Sequence, residues 1–372
     1  MLVDHLEGKS YRALAGTKLK ANRLCKSINN LLANLKSVAE VTRELNPLKY
    51  TGNYIVDAKF IPAKAYTVIK PSLVPRSRKR QKIKRGIVHI SGTDYQTHDL
   101  PASLTCPLED YWAYDLHFQN LKNLNYPLVS LTCDDKRSIR SACFKHYPLA
   151  KIQLCIRHYL EEIARKLKIR SVERTIQSLD KKLFQLGEDH FLVTRPMAQA
   201  KAVRLTNHLA DLEHKYWIAQ EFSELMVCLL KAKTGQEYDV HSNELKEFFE
   251  TTFVLETKLR KRIIKIWKKF KTDQEYLFTS LSYPELQIPR TTNLQEGYHS
   301  HWEARLSSMR GFESEETAKN YLNALVLKRR FSILTSCRKK FKHLNGKSPL
   351  EHSTGDNSVT LKDWVRFCIR KE

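Results

Sequence analysis

Three segments far apart in the chain each hold a carboxylate where it could do chemistry: Tyr54-Ile-Val-Asp-Ala-Lys-Phe60, Pro127-Leu-Val-Ser-Leu-Thr-Cys-Asp-Asp135 and Thr291-Thr-Asn-Leu-Gln-Glu-Gly297. A carboxylate on an apolar strand is costly unless it is paired or binds a cation. If Asp57, Asp134 and Glu296 converged, they would give the oxygen ligands that two Mg²⁺ (or Mn²⁺) ions need for in-line attack on a phosphodiester. Each acid also has an ordinary explanation. Asp57 could face water on an edge strand, Asp134 could cap the helix that follows it, and Glu296 could be a surface acid. Asp135 competes with Asp134 for either role.

A second set of chemically capable residues is Cys155-Ile-Arg-His158, whose spacing is repeated by Cys143-Phe-Lys-His146. Four such ligands make a zinc site only if they converge on a tetrahedron. The helix and strand expected between the two pairs oppose that. A buried thiol and a hydrogen-bonded imidazole explain the residues equally well.

The surroundings of the acids suit a polyphosphate substrate. The chain has 372 residues and a formal net charge of +24, from 64 Lys+Arg against 40 Asp+Glu. Such an excess points to nucleic acid or an anionic membrane. No run of about eighteen apolar residues is present, which argues against a spanning helix. The first residues lack the basic-then-apolar layout of a signal peptide. Eight scattered cysteines without a Cys-x-x-Cys fit a reducing compartment. Nucleic acid is therefore the expected partner, in the cytoplasm or nucleoid of a prokaryote or the nucleus of a eukaryote.

Three basic runs could meet phosphates. The run 76–85, with Arg76, Arg78, Lys79 and Arg80, has no apolar face and reads as a loop. Lys258–Lys271 interleaves Lys261, Arg262, Lys265, Lys268 and Lys269 with apolar residues, as a basic amphipathic helix does. Lys328–Lys342 is the third. Trp217, Trp267 and Trp302 are candidates for stacking on an unpaired base, Trp267 first because lysines flank it.

These residues need elements to carry them. Residues 1–48 read as short helices. Ser10 and Thr17 are N-caps on either side of the Gly16 break, and Leu24, Ile28, Leu31, Leu32 and Leu35 keep helical spacing. Helix, glycine turn, helix is the outline of a helix-turn-helix, and Pro47 with Gly52 marks a boundary. The period then changes to two at Tyr54. Strands are expected at 54–60, 86–92, 97–101, 128–132 and 150–155, with helices at 109–124, 136–146 and from His158. Strands followed by strand–helix alternation give a mixed α/β sheet. From 170 to 285 the pattern is helical throughout. Helices return at Glu296–Arg310 and Glu315–Phe331.

In this order the motifs resemble the Mutator-type DDE transposases, including their prokaryotic insertion-sequence branch. The resemblance runs from about Asp57 to Phe331. It rests on Asp57, Val129-Ser-Leu-Thr-Cys-Asp134, His146-Tyr-Pro148, Cys155-Ile-Arg-His158, Thr291-Thr-Asn-Leu-Gln-Glu296, Arg305 and Gly311-Phe312. It implies an RNase H-like core that cuts and joins DNA at element ends. Asp57, Asp134 and Glu296 would hold two divalent metals, with Asp135, Cys155, His158 and Asn293 in support and Arg305 against DNA. The family's usual glycine after the second Asp is Asp135 here, which leaves Asp134 and Asp135 in competition. The implied layout is a DNA-binding segment (1–48), a first part of the core (50–169), a helical insertion (170–285), a core completion with the Glu296 helix (286–335) and a basic tail (336–372). A homodimer on double-stranded element ends and target DNA is implied as well. A transposase-derived DNA-binding protein without catalysis and an RNase H-like nuclease that only hydrolyses are the rival expectations.

Overall fold

The computed structural model describes residues 1–47, 49–62, 66–68, 81–83, 86–188, 196–251, 257–308, 312, 314–354 and 364–370. They form two compact units: residues 1–153 with 285–372, and residues 154–284.

The first unit opens with four helices: α1 (Leu2–Leu6), α2 (Tyr11–Ala15), α3 (Lys18–Ala33) and α4 (Val38–Leu45). Their starts follow the capping rules. Ser10 accepts from the Ala13 N–H and Thr17 from that of Lys20, while Ser37 and Glu40 form a reciprocal capping box. The strands β1 (Asn53–Pro62), β2 (Tyr66–Val68), β3 (Gln81–Ile83), β4 (Gly86–Asp94) and β5 (Ser103–Cys106) follow. After them come α5 (Tyr111–Asn123), β6 (Ser130–Cys133), α6 (Arg137–His146) and β7 (Lys151–Leu154).

The main sheet has the order β5-β4-β1-β6-β7. β4 runs antiparallel to β1 and β5, and β6 runs parallel to β1. This is a mixed, RNase H-like sheet with β1 at its centre. The central place explains why β1 is buried continuously at Tyr54, Ile55 and Val56 instead of alternating as its sequence pattern suggests. Asp57 is correspondingly on a central strand and not an edge.

The second unit contains only helices among its described residues: α7 (Ile156–Leu167), α8 (Ile169–Glu188), α9 (Pro196–Lys231), α10 (Gly235–Thr251), α11 (Thr257–Leu277) and α12 (Thr279–Ser282). Phe222, Met226, Leu245 and Phe270 are fully enclosed. The chain re-enters the first unit with α13 (Asn293–Ser308), α14 (Glu315–Phe331), α15 (Pro349–Thr354) and α16 (Trp364–Cys368).

Several expectations change here. Residues 97–101 are not a strand. They belong to a turn tied to Asp94, and the strand starts at Ser103. Residues 81–83 of the expected basic loop are β3, paired with β2. The segment 1–48 does not stand apart, because Leu6, Ile28, Leu32, Leu35 and Val41 share one apolar cluster with Leu322, Leu325 and Trp302. Residues 336–372 are not simply a basic tail, since Leu350, Trp364 and Cys368 enter the same cluster. Apolar side chains spaced along short helices carry no signal about which partner covers them.

One glycine is fixed by geometry. Gly52 has φ +81°, and a Cβ there would lie 2.0 Å from the Pro127 carbonyl oxygen. Its own carbonyl accepts the Val129 and Ser130 N–H groups, joining β1 to β6. Gly52→Ala is expected to destabilise by about 2–4 kcal/mol, combining left-handed backbone strain with overpacking. The check is a lower denaturation midpoint at unchanged m-value.

Candidate active site

The parallel pairing of β1 with β6 sets Asn53 opposite Ser130, Tyr54 opposite Leu131 and Ile55 opposite Thr132. Two positions further along each chain segment stand Asp57 and Asp134. The carboxylates therefore leave neighbouring segments at the same level. Asp135 turns elsewhere, with Oδ1 3.4 Å from the Arg140 guanidinium. The helix cap read for Asp134 is not formed, because Lys136 is the N-cap of α6 and no side chain caps it.

Glu296 arrives on α13. The segment leading into that helix is held to the sheet by two hydrogen bonds. Asn53 Nδ2 donates to the Leu286 carbonyl (2.7 Å) and Thr132 Oγ1 to that of Pro289 (2.6 Å). The helix then follows β1, with His299 Nδ1 3.3 Å from Asp57 Oδ2 and Lys59 Nζ 3.2 Å from Glu303. Glu296 is three residues before His299, about 60° away around the helix. Its Oε1 accepts from Thr292 Oγ1 at 3.1 Å. Thus Asp57 and Asp134 are level on adjacent segments, and Glu296 is one helical turn from the residue that meets Asp57.

A buried polar network aims His299. Thr93 Oγ1 donates to Gln295 Oε1, which fixes the amide so that its nitrogen faces Ser91 Oγ (2.6 Å) and His299 Nε2 (3.2 Å). An amide N–H facing Nε2 requires that nitrogen to accept, so the ring proton is on Nδ1, toward Asp57. Asp57 Oδ1 accepts the Ala58 N–H (2.8 Å). Neither Gln295 nor His299 stood out in the sequence. Their signal was a polar pair four residues apart on the face of α13 that also carries Trp302.

The remaining candidates fall as follows. Cys155 is buried at the N-cap of α7, and His158 is half-buried in the first turn of that helix. Among the described residues, no group of potential metal ligands includes Cys143 or His146, whose Nε2 is 2.8 Å from Asp115. Asn293 is exposed at the start of α13. Arg305 donates to Tyr321 Oη (2.9 Å) and lies 3.4 Å from the Gly8 carbonyl and from His5, so it links α13 to the N-terminal helices. Lys261, Lys265 and Lys268 are exposed on α11 and Arg262 is half-buried. Lys269 pairs with Asp273 at 2.7 Å. Trp267 packs on Phe249 and Phe270, and Trp302 is buried against His89 and Tyr298, while Trp217 is exposed. Arg76, Arg78, Lys79, Arg80 and Gly311 lie outside the described residues. The third basic run is divided: Lys328 pairs with Glu7, and Arg330 is fully buried.

No protein-family model matches the chain, and no curated protein matches it. Among solved structures it is similar to a Drosophila P element transposase strand transfer complex. The identity is 12%, the TM-score 0.37, and the match covers 88% of this chain and 91% of that one. The Mutator-type resemblance accordingly rests on its motifs alone.

Proposed function

We propose that the chain is a DNA transposase of the DDE type, cutting and joining strands at element ends through Asp57, Asp134 and Glu296. The observation that carries this reading is the β1–β6 register, which brings Asp57 and Asp134 level, with α13 laid along β1. Adjacent strands are about 4.8 Å apart, a spacing that suits carboxylates sharing metals roughly 3.5–4 Å from each other. An all-oxygen donor set of three acids fits Mg²⁺ or Mn²⁺. When bound, the two ions would activate the attacking oxygen and stabilise the leaving one. The chain's own contribution is orientation. His299 holds one oxygen of Asp57 by a donated proton, Thr292 holds Glu296, and Arg140 draws Asp135 aside. Labelled element ends incubated with Mg²⁺ or Mn²⁺ test the reading. Nicked and joined products support it, hydrolysis without joining would make the chain a nuclease, and intact DNA would leave only binding.

DNA binding through α11 is a separate expectation. Each neutralised phosphate releases counterions, so log affinity falls linearly with log salt, with a slope of about −0.9 per phosphate. Replacing Lys261, Lys265 and Lys268 by Gln should flatten the slope by about 0.9 for each lysine that meets a phosphate, as read by anisotropy between low and physiological salt. An unchanged slope would identify this face of α11 as solvated surface.

A further inference from the structure

The geometry points to a second ligand site in the first unit: a cavity that takes a single nucleotide, its phosphate toward Arg329 and Arg338 and its ring on an apolar wall. The cavity has a volume of about 520 Å³ and is lined by α13 and α14, the turn after β4 and residues 333–341. A volume of this size, lined by polar and apolar groups in nearly equal measure, is enough for a small molecule. The apolar wall is formed by Leu294, Tyr298, Leu334 and Phe341. The basic and imidazole side chains are Arg329, Arg338, His98 and His301, with no carboxylate among the described lining residues. Two guanidiniums unopposed by acids select an anion, and the wall selects an anion with a flat apolar body.

His98 shows that the cavity is built. It is 6% exposed, and its Nε2 has no hydrogen-bond partner among the described residues. A buried ring nitrogen left unmatched is costly to the fold, so its place beside the cavity is an imposed one. The residue is also in the left-handed region, φ +59°, a conformation that non-glycine residues adopt at a cost. The turn enforces this, because Asp94 accepts from the Thr97 N–H and hydroxyl while the His98 N–H donates to the Asp94 carbonyl. Burial, with Arg329 nearby, pulls the His98 ring down to about 4, so it enters the cavity neutral. The opposite wall is fixed as well: Leu334 and Cys337 are held by backbone and side-chain bonds to Gly346, Lys347 and Asn345. Asp99 and Arg330, the next residues after His98 and Arg329, form a buried ion pair. Both sides of the site are therefore anchored from behind.

The site is distinct from the three acids. Asn293, Gly297 and His301 turn one side of α13 to the cavity, while Gln295 and His299 bond across to the sheet. The choice of a nucleotide among flat anions rests on the reading of the chain as a DNA-processing enzyme. The nucleotide could be free or one unit of an unpaired strand.

The test is calorimetric titration of the full chain with deoxynucleoside monophosphates, inorganic phosphate and a single-stranded oligonucleotide of about five nucleotides. Gly297→Leu is the discriminating variant. Gly297 lines the cavity, a Cβ there meets nothing within 4 Å, and replacing a helical glycine raises helix stability. It is expected to fold and to lose nucleotide binding by at least about tenfold. Arg329→Gln and Arg338→Gln should each weaken binding about 10- to 100-fold. Asp57→Asn should bind nucleotides like the unmodified protein whether or not the unmodified protein cuts DNA, so failure of the cavity and failure of the transposase reading are separable. A tighter oligonucleotide than monophosphate assigns the site to a strand, and the reverse assigns it to a free nucleotide. Binding that survives Gly297→Leu, inorganic phosphate binding as tightly as the nucleotides, or no binding by any probe overturns the proposal.

Discussion

Asp57→Asn, Asp134→Asn and Glu296→Gln are each expected to leave DNA binding nearly intact and to slow cleavage about a thousandfold or more. Each change keeps the side chain's size and removes one negative oxygen ligand. Charge stabilisation of several kcal/mol depends on such a ligand, and 1.36 kcal/mol is a factor of ten in rate. Binding should survive, because on the proposed reading it would rest on phosphate contacts spread over the basic surface. Asp135→Asn is the internal control. With its carboxylate turned to Arg140, its loss should change the rate little. His299→Asn should fall between, raising the half-saturating Mg²⁺ concentration about 10- to 100-fold while saturating metal restores the rate. Gel binding and cleavage measured in parallel across a metal titration separate these outcomes. Full-rate cleavage by Glu296→Gln would remove that residue from the site, and an inactive Asp135→Asn would move the second acid by one position.

Arg330→Met is expected to destabilise the first unit by about 3–5 kcal/mol, because it strands a charge in the core. Asp99 is fully buried, and Arg330 reaches both its oxygens at 2.7 and 2.8 Å. Tyr50 and Ser353 donate to the same carboxylate, and Arg330 also donates to Thr42 at 2.8 Å. Burial alone would push the Asp99 carboxyl up, but the guanidinium together with the Ser353 and Tyr50 donors holds it below the usual carboxylate range. The stability that Asp99 lends is therefore present above its unfolded value and lost as pH falls through its lowered one. Without Arg330, only the Tyr50 and Ser353 hydrogen bonds oppose burial, and acid should relieve the variant by neutralising the stranded carboxylate. The gap between variant and unmodified protein in denaturant midpoint should thus narrow as pH is lowered. A gap that is constant with pH would mean that the missing packing of Arg330 dominates. Asp99→Leu combined with Arg330→Met should recover much of the stability.

The sequence was most informative where a local rule acts alone. Ser10 and Thr17 cap the helices they precede, and Glu315–Phe331 is a helix over its whole expected span. The α/β class followed from the change of period at Tyr54. What could not be read was anything decided between distant segments. Arg330 lies in a basic run read as able to meet phosphates, yet its partner is more than two hundred positions earlier at Asp99. Residues 97–101 were a strand candidate, but the Asp94 carboxylate accepts the Thr97 N–H and holds a turn there. The acids were legible as motifs, whereas Gln295 and His299 were not, because their meaning comes from Ser91, Thr93 and Asp57 across the sheet.

The packing of α3 against residues 364–370 bears on how the chain acquires its structure. Leu35 bridges Ile369, the Lys36 N–H donates to the Cys368 carbonyl, and the Arg370 N–H donates to that of Asn34. During synthesis the first helices must wait, incompletely covered, until residue 370 has left the ribosome. The unit formed by residues 154–284 is continuous and has no such delay. Closing contacts of such long sequence separation is slow, and an apolar surface that waits is open to chaperones and to aggregation. The helical unit is therefore expected to gain its protection first in a pulse-labelled hydrogen-exchange experiment, with α3 and α16 gaining theirs together and last.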